Sequence, residues 1–311
     1  MASFIVMTSD IIVDFLPRAG LVQEEEITDT VVYLLKIGLV FFVFTPASLI
    51  KKLHELQYLS LAAFIFTMVI GVVVIVETPL YMSEDDYDIS KLKLFSWDPL
   101  VLFNAVAVSI FAYAFQWELP DIFREINKKT KANMDKISTL TLILGFSTYQ
   151  MFGTLGALST TDQTTELVML RPPIGGAKID YAMIIIQAFL VLLLIAAYAL
   201  YHHIGRVGLL MEFRGSDEMT FAQNVSISYR MAVLVCAIAL SFPTVLSILG
   251  VTGGILSGVI LFTFPTYIHY MLEDVSTRRF CSKRNGFNNI LGIFLTLFSL
   301  TSGIISFVDI F

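Results

Sequence analysis

Within residues 103–126, FNAVAVSIFAYAFQWELPDIFREI, an apolar helical run meets a proline where its charge begins. Pro120 has no backbone N–H, and its ring clashes one turn back, so regular helix is weakened around Gln116 to Leu119. A helix interrupted inside a bilayer exposes backbone groups that can act as ligands. Its N–H groups suit a carboxylate, and its C=O groups suit an ammonium or a cation.

Other residues with chemical potential are few. Asp10 and Asp14 stand one turn apart, with Arg18 one turn further. They read as an i,i+4 charge ladder; proton transfer is the second reading, because intramembrane carboxylates are costly and often functional. His202 and His203 follow an apolar run beside Arg206, and interfacial anchoring outweighs a titrating role; His269 reads the same way. Glu118 reads as a solvated interfacial carboxylate, and Glu125 with Arg124 as a cap or anchor of the helix end. No HExxH, paired CxxC, GxSxG or phosphate-loop pattern occurs. Two cysteines, Cys236 and Cys281, imply no disulfide framework. No metal site, cofactor or enzymatic cluster is expected.

The elements that carry these residues are apolar helices. The 311 residues are 56% hydrophobic and 15% charged, against roughly 45–50% and about 25% in soluble chains. The expected class is therefore an all-α integral membrane protein embedded in a lipid bilayer. A net charge of −6 with no long basic run gives no argument for a nucleic-acid partner, and none is expected. A spanning helix needs about 20 mostly apolar residues. Segments at about 31–50, 57–78, 98–118, 136–158, 179–204, 229–249, 252–272 and 289–310 qualify as full spans. Residues 1–16 are short for a span and lack the basic start of a signal peptide. They read as the second half of a helix, within a single transmembrane domain over 1–311.

Basic residues set the expected orientation. Lys51, Lys52, Arg124, Lys128, Lys129, Lys131, Lys136, Arg206, Arg214, Arg230, Arg278, Arg279, Lys283 and Arg284 fall on one side, which is placed in the cytoplasm. Only Arg18, Lys91, Lys93, Arg171 and Lys178 fall on the other. The sequon at Asn224 then lies in the cytoplasm and goes unused. Gly250, Gly254 and Gly258 form a four-residue ladder that favours close helix packing.

Three stretches carry a family resemblance. The segment LPDIFREI, with Pro120, Phe123, Glu125 and Ile126, resembles the end of the sixth helix in the amino acid/auxin permease family. SFPTVLSILGVTGGILSGVILFTFPTYIHY resembles that family's ninth and tenth helices, with Pro243 ending one, a glycine-rich turn at Gly250 and Gly254, and Pro265 near the end of the next. TSDIIVDFLP resembles the outer end of the third helix. Laid on the family's eleven helices, the chain covers the second half of helix three through helix eleven.

The resemblance implies a five-plus-five inverted-repeat bundle with the sixth helix broken at mid-depth. The implied unwound core is Ser109 to Phe115. Ser109, Phe111, Ala112, Tyr113, Ala114 and Phe115 would line an amino acid substrate, with Pro120 as the helix break. Sodium-coupled members place a Ser or Thr hydroxyl on the eighth helix, and residues 179–204 contain none. Proton coupling or uncoupled exchange is the resulting expectation. The family's Tyr-Pro-Leu ending of that helix is also absent, replaced by Tyr198, Ala199 and Leu200.

The expected function is secondary amino acid transport. Residues 1–311 alone are expected to be inactive, because the broken first helix would supply half of the substrate site, and another chain could associate to cover the gap. The alternative is a non-transporting regulatory or sensor component, or an inert fragment of the same family. The membrane, plasma or vacuolar/lysosomal-type, is not specified.

Overall fold

A computed structural model describes residues 1–19, 21–23, 26–49, 53–84, 87–93, 95–115, 119, 122–123, 126–161, 165, 167–174, 181–214, 220–272 and 286–308. Among these the chain is helical, without strands. We number the long helices α1 (Ala2–Arg18), α2 (Asp29–Ala47), α3 (Leu53–Met82), α4 (Pro99–Ala112), α5 (Lys131–Thr160), α6 (Tyr181–Arg214), α7 (Phe221–Ser241), α8 (from Val245–Val251 on through Phe264–Leu272) and α9 (Gly286–Val308).

Six helical runs among the described residues are long and apolar enough to cross a membrane: Asp29–Ala47, Leu61–Met82, Tyr181–Phe213, Phe221–Ser241, Val245–Ile268 and Asn289–Val308. The expected spans at 98–118 and 136–158 differ for separate reasons. Helix α4 is apolar but stops at Ala112 after 14 residues, about 21 Å of rise. Helix α5 is long, but Ser138, Thr139, Thr141, Ser147, Thr148, Gln150 and Thr154 dilute its apolar character.

Boundaries follow local chemistry. Asp98 caps α4 by accepting from the Leu100 N–H, and Pro99 sits where its missing N–H costs nothing. Thr220 and Gln223 form a reciprocal capping box that starts α7. Pro243 follows Phe242, which is extended, and α7 ends at Ser241. The next helix starts at Val245, so the turn expected at Gly250 lies instead at residues 242–244. Gly250 is inside α8, which passes through π-helical turns at Thr252–Ser257 and Val259–Thr263. Helix α2 has a similar turn at Leu39–Phe44, where the Thr45 hydroxyl donates to the Val40 carbonyl at 2.7 Å.

The chain divides into two compact units. The first comprises Met1–Lys93 and Gln150–Val245. Its apolar core joins Ile70 and Val74 of α3 to Met183 and Ile186 of α6, with Met169 between. Buried charge accompanies that core. Arg171 pairs with Glu77, its guanidinium lies 4.3 Å over the Tyr81 ring, and the Tyr81 hydroxyl donates to the Pro172 carbonyl at 2.7 Å.

The second unit comprises Leu94–Tyr149 and Leu246–Phe311, and its packing runs through small residues. A Cβ on Gly254 would overlap the backbone of Gly303, and one on Gly258 would overlap Ser299. The Ser299 hydroxyl donates to the Gly254 carbonyl at 2.7 Å. The ladder at Gly250, Gly254 and Gly258 is therefore a close-packing face, as its spacing predicts.

Candidate functional site

In the second unit a helix ends within the stretch Ser109 to Phe115. Helix α4 ends at Ala112; Tyr113 has left helical geometry (φ −97°, ψ 9°), and Ala114 and Phe115 are not helical. The remaining local bonds are short-range. The Ala114 N–H donates to the Phe111 carbonyl at 3.0 Å and the Phe115 N–H to the Tyr113 carbonyl at 3.0 Å. The Tyr149 hydroxyl of α5 donates to the Ala112 carbonyl at 3.0 Å, and its ring meets Tyr113 edge-on, centroids 5.4 Å apart. The end of the helix thus finds a donor outside it for one of its orphan carbonyls.

Of the six expected lining residues, Ser109, Phe111 and Ala112 are still helical, while Tyr113, Ala114 and Phe115 form the unwound segment. The Ser109 hydroxyl donates to the Ala105 carbonyl at 2.8 Å, so it is engaged within its own helix. Ala114 is buried, and Phe111, Ala112, Tyr113 and Phe115 are half-buried. Pro120, Glu118, Arg124 and Glu125 lie outside the described residues.

The unwinding therefore begins several residues before the proline. Close packing explains why α4 holds its register until then. A Cβ on Gly253 would lie 2.9 Å from Phe111 Cβ and overlap the Ala107 carbonyl. The Ser302 hydroxyl donates to the Phe103 carbonyl, and the Ser306 hydroxyl to Asn104 Oδ1 at 3.1 Å. The carbonyl end of α4 carries the partial negative charge of the helix dipole. Small Ala112 and Ala114 and aromatic Phe111, Tyr113, Phe115 and Tyr149 surround it.

Tyr149 was not legible as a partner, because 37 residues separate it from the carbonyl it caps. Asn104 could have been found as the lone amide in an apolar helix.

The expectation for the histidines changes. His202 and His203 are not interfacial anchors: they are 0% and 5% exposed, and α6 runs on to Arg214. Tyr198 stacks on His202 with ring centroids 5.5 Å apart, and Arg206 Nη2 meets His203 Nδ1 at 3.0 Å. Arg206 Nη1 also donates to the Ser48 carbonyl (3.0 Å) and to Ser228 Oγ (2.9 Å), capping the carbonyl end of α2 with a cation. Asn224 is fully buried and donates to the Leu49 carbonyl at 3.0 Å. Its burial, besides any sidedness, keeps it from glycan transfer. The ladder on α1 is seen at Arg18 and Asp14, 2.7 Å apart, and Gln187 Nε2 reaches the Asp14 carboxylate at 3.2 Å.

The sequence profile described as "Transmembrane amino acid transporter protein" matches residues 2–309. Among curated proteins, the chain is similar to the sodium-coupled neutral amino acid transporter 7 of Danio rerio, 23% identical over 71% of this chain and 48% of that protein. It is similar to the Xenopus laevis protein of the same name, 24% identical over 74% of the chain and 52% of the relative. The Bos taurus protein is 23% identical over 74% and 50%. The chain thus spans about half the length of the curated relatives it matches. No solved structure matches the chain significantly. With an apolar helical architecture, no enzymatic motif and a family match over nearly its whole length, this multi-pass membrane chain belongs to the transmembrane amino acid transporter family.

Proposed function

We propose that the chain takes part in secondary transport of a neutral amino acid, and that the end of α4 is where it meets its substrate. The observation that supports this reading is the stop of α4 at Ala112, ahead of the proline, with an aromatic and small-residue lining around a carbonyl end. The carbonyl end attracts the α-ammonium of a zwitterion. Ala112 and Ala114 leave room for the substrate to approach the backbone, and Phe111, Tyr113 and Phe115 supply apolar contact for a neutral side chain.

The test is equilibrium binding of labelled alanine to the purified chain in lipid nanodiscs. Ala112→Trp and Ala114→Trp are each expected to weaken the component of binding at this site at least tenfold. Binding unchanged by both would overturn the assignment.

Coupling is the finer part of the proposal. The relatives are named as sodium-coupled, yet α6 has no Ser or Thr between Tyr181 and Arg214 to offer a hydroxyl to a hard cation. The proposal is therefore sodium-independent handling, by proton coupling or exchange. Replacing sodium with choline leaves binding unchanged if this is right, and loss of binding in choline overturns it.

A further inference from the structure

Lys36 is a buried charge of the first unit that the transport reading leaves unused. It lies in the span Asp29–Ala47 and is only 5% exposed, and among the described residues no carboxylate pairs with it. A buried ammonium inside a membrane span is costly without a partner. Lys36 lines a cavity of about 260 Å³ between α2 and the end of α7.

The cavity wall on α2 is Asp29, Val32, Tyr33 and Lys36. These are positions i−7, i−4, i−3 and i, one face of the helix. Helical side chains lean toward the amino terminus, so Lys36 reaches back along this face toward Tyr33 and Asp29. The opposite wall holds Ser241 and Phe242, where α7 ends and its carbonyls point.

The cavity therefore has both signs of charge. Lys36 calls for an anion, whereas exposed Asp29 and the negative end of α7 disfavour one that carries nothing else. We propose that this cavity is a binding site for a small zwitterion, a free amino acid whose carboxylate meets Lys36 and whose ammonium meets Asp29 and the carbonyl end of α7. The volume suits a ligand smaller than the drug-sized molecules that fill pockets of about 300–1,000 Å³. The site is separate in residues from the end of α4 and does not depend on the reading of that end.

The experiment uses the purified chain in nanodiscs with alanine, acetate, methylammonium and chloride as probes, read by thermal unfolding and equilibrium binding. It is done in an Ala112→Trp background, so that ligand at the end of α4 does not contribute. Alanine is expected to raise the unfolding temperature and bind saturably, acetate at least tenfold more weakly, methylammonium and chloride not measurably.

Lys36→Met should unfold at or above the parent temperature without ligand, because an unpaired buried charge is removed, and should lose alanine binding at least tenfold. Lys36→Gln supplies the same test with a polar side chain. Asp29→Asn should weaken alanine but not acetate. Alanine binding that survives both Lys36 changes, chloride acting as well as alanine, or no alanine binding in the Ala112→Trp background would each overturn the proposal.

Discussion

The two units solve the problem of polar groups in an apolar bundle in opposite ways. Every buried charged or imidazole side chain among the described residues lies in the first unit: Lys36, Glu77, Arg171, His202, His203 and Arg206. The buried polar side chains of the second unit are Ser257, Asn289, Ser299, Ser302 and Ser306. Charge networks tie helix ends to distant loops in fixed register, as Arg206 does at Ser48 and Arg171 does at Glu77. Serine and glycine let backbones touch, as Gly254 does at Gly303. Close backbone contact needs little side-chain volume, which leaves the interrupted helix to be shaped by Ala112, Ala114 and their aromatic neighbours. The candidate site thus lies in the unit that packs by shape rather than by charge.

The largest expected effect breaks the charge side of this comparison. Removing one member of a buried ion pair strands the other, at about 3–5 kcal/mol. Arg171→Met or Glu77→Gln should destabilise the first unit by that order, measured by thermal unfolding in detergent. The double change Glu77→Leu with Arg171→Met should recover much of the loss. A double variant as unstable as the sum of the singles would mean that the pair is not acting as a unit.

The second effect breaks the shape side. Gly254→Ala adds a methyl where the Gly303 backbone already stands, and backbone cannot swing aside as a side chain can. Overpacking of this kind costs about 1–3 kcal/mol. Gly145, with nothing within 4 Å of its added Cβ, is the control. Gly145→Ala should be neutral or mildly stabilising, because alanine favours helix by about 1 kcal/mol over glycine. Equal losses at both positions would remove the packing argument.

How much of this was legible follows the same division. Apolar runs of about 20 residues and the helix-ending Pro243 are local signals, and six of the eight expected spans and the end of α7 follow them. The glycine ladder was legible because a four-residue spacing is itself a surface. What sequence could not show were pairings across long separations: Arg171 with Glu77 over 94 residues, Arg206 with Ser48 over 158, and Tyr149 with Ala112 over 37. The histidines were misplaced for this reason. A pair of imidazoles near a basic residue looks interfacial until tertiary packing surrounds it. Pro120 lies outside the described residues; what the structure shows is that α4 ends at Ala112 and that Tyr113 to Phe115 are not helical, at the end of a helix packed on small residues.

A third prediction sharpens the comparison at the site. Tyr149→Phe keeps the ring against Tyr113 and deletes the donor to the Ala112 carbonyl. A single hydrogen bond of this kind contributes about 0.5–1.5 kcal/mol, so stability should fall by no more than that. Alanine affinity at the end of α4 should change instead, since the freed carbonyl alters the charge a substrate ammonium meets. An unchanged affinity with the full loss of stability would assign Tyr149 to structure alone.

The smallest effect asks whether charge in the first unit matters as charge or only when buried. Asp88 is an exposed carboxylate of that unit outside the spans, and it accepts from the Ser90 hydroxyl at 2.7 Å and the Ser90 N–H at 2.9 Å. Those two bonds, the hydroxyl first, hold its carboxyl below the ordinary aspartate value. A carboxyl depressed on folding adds stability that is present above its unfolded pKa and is lost as pH falls through its folded one. Solvent around Asp88 keeps that contribution small. Carboxyl-carbon NMR should find the Asp88 midpoint below that of an unfolded aspartate, and Ser90→Ala should move it upward with almost no change in unfolding temperature. A loss of stability at Ser90→Ala comparable to that of Arg171→Met would contradict the premise that burial, rather than charge itself, makes the ion pairs of the first unit matter.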